Sequence, residues 1–144
     1  MRMAWTRWWG WAGCALALVL GLAVPAAAAS ILFVGNSFTQ GEFSDVKHYR
    51  PDLVTDLNGD GIGGVPALFK MFVTEAGLDY QVSLETVPAV GLDYHLDHEA
   101  AALDRPWDVV VLQTISTLDV YAPGNPAMLV RAAPRIADIL RAKN

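Results

Sequence analysis

The sequence holds a single cysteine, Cys14, and that one lies within the first thirty residues. With no second thiol, neither a disulfide nor a thiolate metal site can staple the fold. Cations are also scarce: 10 Lys and Arg stand against 15 Asp and Glu, for a net charge of −5. No basic run appears, so a phosphate backbone has little to attract it, and nucleic acid is not an expected partner. No internal repeat or low-complexity stretch occurs beyond residue 29. A hydrophobic core must therefore hold the chain, and its 144 residues suffice for one domain.

What is present begins with a leader. Arg2 and Arg7 precede an apolar run over residues 15–24, which ends in Pro25-Ala26-Ala27-Ala28-Ala29-Ser30. A positive start, a short apolar stretch and small residues at the cleavage positions describe a secretory signal peptide over residues 1–29. The alternative is an uncleaved anchor over residues 8–29, just long enough for the about 20 apolar residues that a bilayer requires. A lipoprotein anchor at Cys14 does not fit, because the apolar run follows the cysteine. Removal of Arg2 and Arg7 leaves 8 cations against 15 anions and a net charge of −7. Export to the periplasm or outside the cell is expected, without stable membrane association after cleavage.

Three apolar stretches then alternate with helical spacing. Ser30-Ile31-Leu32-Phe33-Val34-Gly35 reads as a strand buried on both faces, as in a parallel sheet. Residues 36–64 are a long polar connection, and a helix opens at Val65 with Pro66 in its first turn, ending at Gly77. Residues 79–87 alternate as a second strand, and residues 92–103 have helical spacing up to Asp104-Arg105-Pro106. A third strand follows over 107–113, and a last helix over about 127–142. The β-α-β-α-β-α order predicts an α/β/α sandwich with a parallel sheet and strand order 2-1-3. Reactive groups in such folds gather at the carboxyl ends of the strands.

Gly35-Asn36-Ser37-Phe38-Thr39 occupies the first of those ends. A serine there presents both a hydroxyl nucleophile and its own N–H as a donor for a developing oxyanion. A glycine turn before a helix can equally cradle a phosphate or be a plain Asx turn. The stretch Ile31-Leu32-Phe33-Val34-Gly35-Asn36-Ser37-Phe38-Thr39 resembles the first block of the SGNH/GDSL hydrolases, in a Gly-Asn-Ser rather than Gly-Asp-Ser form. The resemblance implies a flavodoxin-like sandwich, a serine esterase activity, Ser37 as nucleophile and its N–H as first oxyanion donor.

By the same resemblance Gly91, in Pro88-Ala89-Val90-Gly91-Leu92, is the glycine whose N–H is the second donor. The family's third block reads Gly-x-Asn-Asp, but this chain has Leu112-Gln113-Thr114-Ile115-Ser116-Thr117. A subgroup ends this strand in Gln, which implies Gln113 as third donor, with Thr114 and Ser116 as competitors. The fourth element is a C-terminal Asp-x-x-His, and no histidine follows His98. The chain therefore reads as a truncated or partial domain, incomplete at one sheet edge and prone to self-association there. His95 and His98 are expected to form a solvated helix face with Glu99, and His48 lies in the long loop.

Asp56-Leu57-Asn58-Gly59-Asp60-Gly61 reproduces the first half of an EF-hand-like loop, but its twelfth position is Ala67 instead of the bidentate Glu. An Asx-turn loop is the favoured reading, with no metal and no cofactor expected. The expected function is a secreted hydrolase of O-acyl or O-acetyl carbohydrate esters, impaired by loss of the base. The alternatives are a saccharide-binding module without turnover and a calcium-binding exported protein using Asp56, Asn58 and Asp60.

Overall fold

A computed structural model describes residues 28–143. The expected signal peptide and the alternative anchor fall on residues 1–27, outside the described residues, except for the two candidate cleavage positions. Of these, Ala29 already belongs to the first strand, and its N–H donates to Asp79 O at 3.3 Å. Among the described residues no helix is long and apolar enough to cross a membrane.

The apolar run after residue 28 becomes β1 (Ala29–Gly35), the central strand. It is flanked by β3 (Tyr80–Thr86) and β4 (Val109–Leu112), and β3 carries a two-residue outer strand, β2 (Thr55–Asp56). All pairings are parallel and the order is β2-β3-β1-β4. The three long strands thus stand in the order expected from the sequence, in a flavodoxin-like α/β/α sandwich. β2 is an addition within the segment that reads as a polar connection.

Alternate side chains of β1 feed two cores. Ile31 and Phe33 pack with Val82, Leu84 and Ile62 under α2 (Gly64–Glu75). There Phe69 meets Phe33 and Tyr80 edge-on, at 5.4 and 5.6 Å between ring centroids. Leu32 and Val34 point the other way, to Leu92, Leu96, Leu103, Trp107 and Ile136. That layer comprises α3 (Leu92–His98), α4 (Ala100–Leu103) and α5 (Ala127–Arg141). The single helix expected over 92–103 is broken at Glu99, whose φ of −116° leaves the helical region.

β4 is the edge strand among the described residues. Val109 and Val111 are in register with buried Ile31 and Phe33, yet each is 39% exposed, because the α2 layer stops short of β4. At the other end of β4, Asp108 Oδ2 accepts from both Ser30 N–H and Ser30 Oγ, each at 2.7 Å. Those two bonds hold the Asp108 carboxyl below the usual aspartate range.

Candidate active site

The exit of β1 has no room for any residue but glycine at position 35. A Cβ there would stand 2.2 Å from Thr39 Oγ1 and 2.8 Å from Gln113 Oε1. Asn36 follows in extended conformation and caps α1 (Ser37–Gln40), its Oδ1 accepting from Phe38 N–H at 3.1 Å. Gly41 ends that turn in the left-handed region at φ 71°. Ser37, at the first helical position, is half-buried. Its Oγ makes no hydrogen bond among the described residues. With Phe38, Gly41, Glu42 and Phe43 it lines a hollow of about 310 Å³.

Asn36 is buried and reaches two other strand exits. Its Nδ2 donates to Val90 O at 3.0 Å, in the turn after β3, and to Thr114 O at 3.4 Å, just beyond β4. One amide thus ties together the three loops the sequence singles out. The resemblance marks Asn36 only as a motif variant; its Asx-cap position is legible in sequence, but its cross-loop bonds are not.

Gln113 has a different occupation from the one the resemblance implies. Its Oε1 accepts from Asn36 N–H at 2.9 Å and Thr39 Oγ1 at 3.0 Å. A backbone N–H can only donate, so the amide oxygen must face Asn36. Gln113 Nε2 is left to donate to Thr114 O. Both ends of the amide thus bond within the turn, and Nε2 keeps a second proton. Thr114 Oγ1, by contrast, is buried without a hydrogen-bond partner. It stands 3.5 Å from where a Cβ on Gly91 would be. The other competitor, Ser116, is exposed.

Gly91 is buried at the start of α3, with an ordinary φ of −104°. What excludes a side chain is space: a Cβ would meet Met128 Sδ at 2.7 Å and Asp93 Oδ1 at 2.8 Å. Gly91 lines a hollow of about 410 Å³ with Val90, Tyr94, Ile115 and Tyr121. Ser37 and Gly91 line different hollows.

None of the three histidines bonds to Ser37 among the described residues. His98 is exposed and tilted against Tyr94, with 4.5 Å between ring centres. His95 departs from the expected solvated face and is fully buried. Its Nδ1 lies 2.5 Å from Glu85 Oε2, also buried, off the line of a good hydrogen bond. The sequence signal is Glu85 itself: a carboxylate in an inner parallel strand needs a partner, and the next helix offers His95. Asp45 stands three residues before His48, so one Asp-x-x-His does occur, after α1 and not near the C-terminus. His48 Nδ1 is held 3.2 Å from Gly61 O.

The acidic loop is occupied by its own backbone. Asp56 accepts from Asn58 N–H at 3.1 Å, Asp60 N–H at 2.9 Å and Ile62 N–H at 3.0 Å. Asn58 Oδ1 turns inward to Thr86 N–H at 2.8 Å. This is an Asx-turn arrangement. Among the described residues no group of three His, Cys, Asp or Glu side chains is positioned for a metal ion.

No protein-family profile matches the chain. No curated protein matches it either. Among solved structures, the crystal structure of TesA is similar, with a TM-score of 0.50 and 20% identity. The likeness covers 78% of this chain and 54% of TesA, so the chain spans about half of that protein's length. It supports the α/β/α sandwich as the fold.

Proposed function

We propose that the protein is a secreted serine hydrolase of ester bonds, acting on O-acyl or O-acetyl groups of carbohydrates. Ser37 Oγ attacks the ester carbonyl, its proton passes to a base, and the carbonyl oxygen becomes an oxyanion. The alcohol leaves with a proton, and water then releases the acid from the acyl-serine. The Ser37 N–H stabilises the oxyanion, joined on substrate closure by Gly91 N–H and Thr114 Oγ1 from the neighbouring hollow. The observation that carries the reading is the reach of Asn36 Nδ2 to Val90 O and Thr114 O, which ties the Ser37 turn to the turns at the other two strand exits.

Export rests on the leader pattern of residues 1–29. The test is p-nitrophenyl acetate hydrolysis by the wild type and Ser37→Ala; equal rates remove Ser37 from the mechanism. A second reading, a saccharide-binding module without turnover, rests on the absence of a histidine bonded to Ser37 among the described residues. Saccharide binding by calorimetry, with no Ser37-dependent hydrolysis, favours that module.

A further inference from the structure

The acidic loop contains the pair Asn58-Gly59, in which the residue after a labile amide has no side chain to hinder attack on it. The N–H groups of Asn58, Asp60 and Ile62 all go to Asp56, but that of Gly59 makes no hydrogen bond among the described residues. Gly59 is exposed at φ 78°, with open space where a Cβ would stand. The fold grips the neighbouring carboxamide by its other atoms. Asn58 Oδ1 accepts from Thr86 N–H at 2.8 Å, and Nδ2 donates to Oε1 of the buried Glu85 at 3.4 Å. Glu85 in turn meets His95 on α3, the helix that starts beyond Gly91.

We propose that Asn58 is a self-modification site: the folded chain converts it, through a succinimide, to aspartate and isoaspartate. Gly59 N bonds to Asn58 Cγ, the Cγ–Nδ2 bond breaks, and the Gly59 proton leaves with the nitrogen as ammonia. Water then opens the imide at either carbonyl. Negative charge gathers on Oδ1 during the attack, and the Thr86 N–H is already placed to stabilise it. In the product an anion replaces the amide donor opposite a carboxylate that is itself buried. The change thereby reaches the Glu85–His95 contact and the helix α3.

The test incubates the folded protein and the guanidinium-unfolded chain side by side in mildly alkaline buffer, and follows both by peptide mass mapping. The folded chain converts Asn58 within about tenfold of the unfolded rate, and keeps Asn36 and Asn125 intact. Gly59→Ala slows the conversion. Asn58→Asp, which copies one product, melts below wild type, and by less when Glu85→Gln is also present. None of these readouts involves Ser37. Conversion more than about tenfold slower in the fold, or a rate unmoved by Gly59→Ala, overturns the site. An Asn58→Asp protein as stable as wild type, or a drop that Glu85→Gln does not relieve, overturns the link to Glu85.

Discussion

Asn36 Nδ2 donates to Val90 O across 3.0 Å, joining the exit of the central strand to the turn that delivers Gly91. The bond explains why this position is Asn and not the Asp of the more common motif. The same nitrogen faces Thr114 O at 3.4 Å, so a carboxylate oxygen in its place would oppose two carbonyl oxygens. Asn36→Asp preserves shape and the cap to Phe38 N–H but converts two attractions into repulsions. Chemical denaturation should show a loss of about 2–4 kcal/mol. A variant as stable as wild type would contradict the role given to this amide.

Gln113 and Thr114 should separate stability from turnover. Gln113→Ala leaves Asn36 N–H and Thr39 Oγ1 without their acceptor and should cost about 1–3 kcal/mol. Thr114→Val removes a buried hydroxyl that has no partner, so stability should hold or rise slightly. Its kcat on p-nitrophenyl acetate should nonetheless fall about 10²-fold or more. Parallel melting curves and initial rates check both; a fully active Thr114→Val returns the third donor to another residue.

The Glu85–His95 contact, 2.5 Å long and closed to solvent, should behave as a coupled unit. Glu85→Leu or His95→Leu alone strands a buried polar partner and should cost about 3–5 kcal/mol. The double variant should lose much less than the sum of the two. A double-mutant cycle by denaturation measures the coupling, and strict additivity would show that the two groups act separately.

Asp108 supplies a pH signature. Its carboxyl is held below the ordinary range by Ser30, so its stabilising effect is present above the unfolded-state value, about 4. The effect disappears as pH falls through the lower folded value. Asp108→Asn should melt below wild type near neutral pH, and the two curves should converge under strong acid. A gap in Tm that persists unchanged at low pH would assign the effect to shape alone.

Much of this architecture was legible in residue patterns, and the failures have identifiable causes. β1, β3 and β4 announce themselves because their residues are apolar or alternating, and the glycines at 35 and 91 mark the exits of β1 and β3. β2 was not readable, since two residues in an Asp-rich loop carry no periodicity and pair only because β3 is beside them. The burial of His95 is not legible, because helical spacing places it on a face without saying what covers that face. The case of Gln113 is similar. Residue type offers a donor, but only the fold reveals that Asn36 N–H claims the oxygen and Thr114 O the nitrogen.

The catalytic role of Ser37 is tested most directly by trapping the acyl-serine. The protein is mixed with p-nitrophenyl acetate, with and without millimolar imidazole as an added base, quenched in acid and mapped by peptide mass spectrometry. The account predicts one acetyl group on the peptide holding Ser37, formed faster with imidazole and absent from Ser37→Ala. Acetyl spread equally over lysines in both proteins, with Ser37 unmodified, would contradict it.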